Sequence, residues 1–274
     1  MTSDCASRMS VPFPSTINNN GPILPHAGTD MKYLLIDNSN TRTKFQLADA
    51  EHLHDWTKWI PTADVSVDVL GKITKDIHFD AVLICSVVPE KSAIMQEFFT
   101  RSHPLHVVSC DSAMDLAIDY PNPRQIGADR LANAIGVLEK YQVPAIVIDF
   151  GTAVTFDVIS AQRAYCGGVI APGLGAMNEY LHRKTALLPL IELAEPAHAV
   201  GKSTQEAMMA GAVYGYRGLV KEILLKLRKE VEGDVTIIAT GGDAALIAQG
   251  VEGIHLVDPQ ITLEGLRHLA IKNL

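Results

Sequence analysis

The sequence predicts an α/β protein made of two similar halves, each a mixed sheet with flanking helices, with a ligand cleft between them. Three observations carry this. Short, continuous Val/Ile/Leu runs recur along the chain, the pattern of strands covered on both faces. Amphipathic stretches of helical period lie between them. One pattern also occurs twice: "LLIDNSNTRTKFQLAD" at residues 34–49 and "IVIDFGTAVTFDVIS" at residues 146–160. Both copies run from an apolar strand through an Asp and a turn with a small residue and Thr into a second strand.

In chain order, strands are expected at Tyr33–Ile36, Thr43–Leu47, Ala81–Val88, Leu105–Ser109, Ala145–Ile148, Val154–Ile159, Gly168–Ile170, Val235–Ala239 and Ile254–Val257. Helices are expected at Ala128–Lys140, with Leu131, Ile135 and Leu138 on one stripe, at Thr204–Val231 and near Leu263–Lys272. The halves divide near Gln142–Pro144, giving 31–143 and 144–274. Residues 1–30 are rich in Ser, Asn, Pro and Gly and read as a disordered extension or a non-native start, with Met31 as a candidate initiator. They lack the basic start and apolar core of a signal peptide.

The bulk numbers exclude some classes of function. Hydrophobic content of 47% and charged content of 20% fit a globular chain with a sizeable core. A net charge of -8 argues against nucleic acid or an anionic membrane as the main partner. No apolar run is long enough to span a bilayer. Cys5, Cys85, Cys110 and Cys166 are scattered, which points to reduced thiols and a cytoplasmic location. The histidines show no metal-ligand spacing and read as surface or core residues, and "HLHDWTKWI" is expected to pack Trp56 and Trp59 locally.

The repeated hairpin has a chemistry. A tight turn with small residues leaves N–H groups pointing outward, a nest suited to phosphate. A Thr hydroxyl adds a donor. The Asp would repel phosphate, so its use is to hold a cation that bridges to it. A single copy reads more readily as an Asx-type turn; two copies heading two halves favour a ligand. The later "ATGGDA" at residues 239–244 is a second glycine-rich turn after a strand.

This arrangement resembles the phosphate-binding hairpins of the actin, Hsp70 and hexokinase superfamily, whose halves are ribonuclease-H-like; there the late glycine turn holds the base and ribose. "YPNPRQIGADRLANAIG" at residues 120–136, "IDFGTAVTFDVI", "GGVIAPGL", "TALLPL" and "GKSTQEAMMAGAVYGYRGLV" follow in order and narrow the resemblance to type III pantothenate kinases. It covers most of 31–274. The resemblance implies ATP-dependent phosphorylation of pantothenate to 4'-phosphopantothenate, the first step of coenzyme A biosynthesis. It also implies Mg2+ with ATP, a monovalent cation (K+ or NH4+) and a homodimer.

By the same resemblance Asp129 is the catalytic base, a role that does not demand a raised pKa. Tyr120, Gly127, Ala128, Asp129, Arg130 and Thr204 bind pantothenate, with Arg130 a candidate partner for its carboxylate. Asp37, Asn38, Ser39, Asn40, Thr41, Lys44, Gly151 and Thr152 bind ATP. Asp149 holds the monovalent cation, and Asp37 the divalent one, directly or through water. Thr204 also lies in "STQE", a capping box with Ser203 as cap. Gly211, Gly215 and Gly218 recur at helical spacing, which calls for close approach of a partner helix or of a strand within the chain. The family commonly has Asp-x-Gly-Asn-Thr where this chain has Asp37-Asn38-Ser39-Asn40-Thr41, so Ser39 serves only if the turn needs no left-handed residue. A non-catalytic accessory or regulatory protein of the same fold is the alternative reading.

Overall fold

The computed structural model describes residues 31–274; the extension expected over 1–30 lies outside them. The elements run β1 (Tyr33–Asn38), β2 (Arg42–Ala48), β3 (Leu53–Pro61), α1 (Val67–Thr74), β4 (Ala81–Ser86), α2 (Pro89–Phe99), β5 (Leu105–Val107), β6 (Ala117–Ile118), α3 (Ala128–Lys140), β7 (Ala145–Phe150), β8 (Ala153–Ile159), β9 (Ala164–Pro172), α4 (Leu174–Lys184), α5 (Thr204–Leu227), β10 (Thr236–Gly241), α6 (Ala244–Ala248), β11 (Leu256–Val257) and α7 (Ile261–Asn273).

The strands form two sheets, ordered β3-β2-β1-β4-β5 and β11-β10-β7-β8-β9-β6. Apart from β6, the second order is the first rewritten: β7, β8, β9, β10 and β11 stand where β1, β2, β3, β4 and β5 stand. In each sheet the first three strands are antiparallel and the last two join in parallel. The duplication expected from the repeated hairpin therefore extends over a whole sheet.

Alternation along β1 explains the layers. Leu34 and Ile36 face α1 and α2, in a core with Leu70, Ile73, Met95 and Phe99. Tyr33 and Leu35 face α3 and α7, in a core that also takes Val147, Ile159 and Ile238 from the second sheet. α3 and α7 thus lie between the sheets, while α5 and α6 cover the far side of the second one through Val213, Tyr216, Val220 and Ile247. The two central helices approach at backbone distance. A Cβ on Gly136 would strike the Ile261 carbonyl, and one on Gly265 the Ala132 carbonyl. This crossing fixes α3, and α3 carries Asp129 to the cleft.

Several expectations change. β3 is a full strand where only local tryptophan packing was expected. Trp59 is 59% exposed, with the Arg42 guanidinium 4.8 Å over its ring, so it packs against a neighbouring cation and not into the core. Strand β4 ends at Ser86, because Pro89 opens α2 two residues after Val87. α5 ends at Leu227, short of Val231, in the charged "KLRKE" stretch. No helix among the described residues is long and apolar enough to cross a membrane.

Candidate active site

Each repeated hairpin delivers its Asp at a strand end and its small residues in the turn. In the first, Asp37 pairs across the ladder with Lys44, and Ser39 N–H closes the turn on the Arg42 carbonyl at 3.0 Å. In the second, Asp149 pairs with Thr155, and Gly151 N–H reaches the Ala153 carbonyl at 3.1 Å. The turns meet: the Thr41 and Thr152 hydroxyls are 2.8 Å apart. Both line one cleft of about 510 Å³, whose walls include Asp37, Lys44, Asp129, Asp149 and the Thr240–Asp243 turn. Gly241 has φ of 93° and packs its Cα onto Phe150, so this turn requires glycine. The N-terminal turn of α4 also borders the cleft at Gly175 and Ala176, and Gly173 packs onto the Gly151 carbonyl. A helix N-terminus beside two amide-rich turns suits an anion.

Ser39 adopts no left-handed backbone; among the described residues Arg163 alone of the non-glycines has positive φ. Its hydroxyl donates to Asp37 Oδ1 at 3.3 Å.

Three acids share the cleft. Asp37 is buried; burial pushes its pKa up and the Asp129 charge adds to this, while Lys44, 3.8 Å away, pulls it down. Asp149 is pushed up to about 6, chiefly by burial, with the charges of Asp37 and Asp129 adding and the Asn133 amide opposing. Asp129 stands in the first turn of α3, where Gly127, not Asp129, is the N-cap. Its Oδ1 accepts the Arg130 N–H at 2.9 Å. A Cβ on Gly127 would fall 2.5 Å from that oxygen, so the glycine makes room for the carboxyl. Burial raises the Asp129 pKa, against the Arg130 N–H and charge.

Two supporting residues escaped the sequence reading. Asn133 donates from Nδ2 to Asp149 Oδ2 at 3.2 Å and accepts from the Thr262 hydroxyl at 2.6 Å. It is buried one helical turn after Asp129. The available signal was helical spacing: Asn133 follows Asp129 by four residues and so shares its face of α3. Asp157 is the other: fully buried, it accepts Arg130 Nε at 2.5 Å and the Tyr165 hydroxyl at 2.9 Å. Burial lifts its pKa to about 6 against Arg130 and Tyr165.

Of the expected ATP residues, Asp37, Ser39, Asn40, Thr41, Lys44, Gly151 and Thr152 line the cleft, as do Asp129 and Asp149. Asn38 does not. Its side chain is buried, donating to the Thr43 hydroxyl at 2.6 Å and accepting from that of Ser86 at 2.7 Å, so it braces the hairpin from beneath. The expected substrate residues gather elsewhere. Tyr120 sets its ring edge-on to Tyr165, 6.2 Å between centroids, and touches Gly167. Arg130 turns inward to Asp157, with Nη2 buried and unpartnered. The Gly168 Cα allows that guanidinium close by. Gly127 and Ala128 link the two regions as the entry to α3. Thr204 lies apart, exposed at the first position of α5. The capping box is formed: Ser203 Oγ accepts Glu206 N–H at 3.2 Å, and Glu206 reaches back to Lys202 N–H at 2.6 Å, one residue before the cap.

The chain is similar to characterised families over nearly all of this architecture. The family described as Type III pantothenate kinase matches residues 33–226. A Type III pantothenate kinase of Akkermansia muciniphila is 56% identical over 244 residues, covering 89% of this chain and all of the relative. Among solved structures, a Baf family protein from Campylobacter jejuni aligns with a TM-score of 0.57 at 17% identity, over 86% of this chain and 96% of that one. The archaeal actin homologue Ta0583 aligns with a TM-score of 0.50 at 15% identity, over 88% and 98%. These two show the fold, an actin-like pair of mixed sheets. At the identity and coverage of the first relative, the chain belongs to the type III pantothenate kinase family.

Proposed function

We propose that the chain transfers the γ-phosphoryl group of ATP to the primary hydroxyl of pantothenate, giving 4'-phosphopantothenate, the first step of coenzyme A biosynthesis. The observation that carries this is the joint placement of two Asp-tipped hairpins, their Thr hydroxyls 2.8 Å apart, around a cleft that also holds Asp129. The turn amides and Thr41 and Thr152 bind the phosphates. The Thr240–Asp243 turn takes the base and ribose.

Asp129 is the base. The Arg130 N–H holds its carboxyl in one orientation, and burial raises its proton affinity, which suits a group that orients an alcohol and takes its proton late. Tyr120 and Arg130 form the pantothenate side. Arg130 Nη2 is the open donor there, and Asp157 holds the guanidinium ready for a carboxylate.

The acids fit the expected cations. Asp37 stands in an oxygen-rich wall suited to Mg2+, directly or through water. Asp149 has an amide and not a cationic side chain as its partner among the described residues, so an oxygen-liganded K+ or NH4+ fits beside it. Bound with ATP, the divalent ion supplies charge neutralisation on the phosphates.

The active species is a homodimer joined through α5. Gly211, Gly215 and Gly218 meet nothing within 4 Å among the described residues, which removes the within-chain strand as their partner. Tyr214, 39% exposed, flanks them. Thr204 heads the same helix outside this chain's cleft, so its substrate contact is one made across the dimer. The protein works in the cytoplasm, where ATP and pantothenate are available.

ADP release measured with and without pantothenate, in buffers with and without K+, tests the reading. Pantothenate-dependent release that K+ increases is the expected result. No pantothenate-dependent ADP with any cation would favour an accessory protein.

A further inference from the structure

The β2–β3 hairpin gathers ligating side chains at the end away from the cleft. Asp37 and Lys44 pair at the cleft end of the β1–β2 ladder, and Tyr33 and Ala48 at the other. Asp49 lies five residues beyond Lys44, about 16 Å along the strand at roughly 3.3 Å per residue. Here three ligating side chains converge that phosphoryl transfer does not use. Asp49 Oδ2 is 2.8 Å from His54 Nε2, and Asp49 Oδ1 is 3.2 Å from His52 Nδ1. The two rings stack with centroids 4.9 Å apart and planes 25° from parallel. One atom from each of the three residues lies within 4.8 Å of the others.

The scaffold beneath them is rigid. Asp49 N–H donates to the His52 carbonyl at 3.1 Å, and the N–H groups of Glu51 and His52 donate to Asp49 Oδ1 at 2.8 and 2.9 Å. The ladder is bulged between Gln46 and Ala48, which re-aims the strand. Gln46 Nε2 holds the His54 carbonyl at 2.6 Å. From α7, Arg267 Nη1 donates to the Ala50 carbonyl at 2.5 Å, and Glu264, 2.8 Å from Arg267 Nε, offsets its charge. His52 and His54 are two apart on an extended chain, so their side chains leave on one side. The spacing H-x-H was visible in the sequence, but the Asp that completes the group comes from the far side of the turn, which only the hairpin register supplies.

We propose that Asp49, His52 and His54 form a binding site for a divalent transition ion of the zinc class, with solvent completing a four-coordinate shell. Two imidazole nitrogens and one carboxylate oxygen are the donor set such ions take, whereas Mg2+ takes oxygens. On binding, each neutral ring turns a lone pair to the ion. In the free protein His54 Nε2–H donates to Asp49; on binding, that proton passes through solvent to Nδ1, which frees the Nε2 lone pair for the ion with no net loss of a proton. The ion ties the start of β3 to the end of β2.

The experiment uses the full, untagged chain, titrated with Co2+ and with Zn2+ after chelator treatment, reading the visible absorption of bound Co2+ and the heat of Zn2+ binding. One equivalent per chain with a nitrogen- and oxygen-ligated Co2+ spectrum is expected. His52→Ala, at a 64% exposed side chain, should fold as the wild type and bind more than the roughly tenfold weaker that loss of an outer-shell partner causes. His52→Ala/His54→Ala should lose the spectrum and keep pantothenate-dependent turnover in Mg2+. Absence of a Co2+ spectrum in the wild type overturns the proposal. So does unchanged binding in the double variant, or a sulfur-ligand charge-transfer band, either of which would put the ion elsewhere, on a thiol in the latter case.

Discussion

The two hairpins share a strand order and an Asp, yet they handle charge differently. Asp37 faces a lysine across its ladder and keeps it at 3.8 Å. Asp149 faces Thr155, and its polar neighbour is the neutral Asn133. The first hairpin therefore carries its own counter-cation. The second holds a carboxyl pushed up to about 6, chiefly by burial, beside a neutral amide. Divergence at one ladder position, Lys44 against Thr155, gives the first carboxyl a charged neighbour and the second a neutral one.

The largest expected effect comes from the acid between them. Asp129 raises the pKa of both hairpin acids through its charge. Asp129→Asn should lower turnover by roughly 10²- to 10⁴-fold, the range for losing a general base, with an unchanged circular dichroism spectrum. Near-normal turnover in this variant would remove Asp129 from the chemistry.

Asp149→Asn tests the ion-dependent hairpin. Turnover should fall by roughly 10- to 100-fold, below the loss at Asp129, and the remainder should no longer respond to K+. The pH dependence follows from the sign of the shift. The folded-state pKa of Asp149, about 6, lies above the ordinary 3.8, so the folded chain favours the protonated form. This contribution to stability is fully present below about pH 4 and is lost as pH rises through about 6. The gap corresponds to roughly 3 kcal/mol. In K+-free buffer at pH 7 the Asn variant should therefore unfold at higher denaturant than the wild type, and the difference should vanish near pH 4. K+ affinity should weaken as pH falls below about 6. A K+ response that is flat with pH would assign the ion elsewhere.

Lys44→Met gives the first hairpin the character of the second. Removing one charge-assisted contact to phosphate costs about 1.5 to 3 kcal/mol, so the ATP KM should rise roughly tenfold or more with K+ dependence retained. An unchanged KM would mean that Lys44 serves Asp37 alone.

How much of this the sequence disclosed depends on whether an interaction is local. The Asp, the small residues and Thr of each turn are contiguous, and seven of the eight expected ATP residues do line the cleft. The bracing role of Asn38 was not legible, because alternation along β1 cannot say which polar residue is held from beneath by Thr43 and Ser86. The partner of Arg130 was not legible because Asp157 is 27 residues away and arrives through β8. Asn133 was hidden for a similar reason: its partners Asp149 and Thr262 come from a different strand and from α7. The glycines of α5 carried a signal the fold sharpened, since no described residue approaches them. Gly215→Leu should accordingly shift the protein toward monomer by light scattering while leaving its helix content intact.

The smallest expected effect lies at Ser39, in the first turn. Ser39 stands in the first turn where Gly151 stands in the second, and the difference would matter if the turn needed a left-handed residue or had no room for a Cβ. Ser39 meets neither condition: its φ is not positive, and its hydroxyl finds Asp37 at 3.3 Å. Gly151 is informative in the same way, because a Cβ there would meet the Ala153 carbonyl at 3.4 Å and Asp149 Oδ1 at 3.9 Å, both ordinary contacts. Neither turn requires glycine for its backbone. Ser39→Gly should therefore change the ATP KM by less than about twofold, since one exchangeable hydroxyl contact is worth about 0.5 kcal/mol at the weak end. Much tighter ATP binding in that variant would show that the serine hydroxyl obstructs the phosphate, and the first hairpin would then be the weaker of the two by steric fit and not by charge.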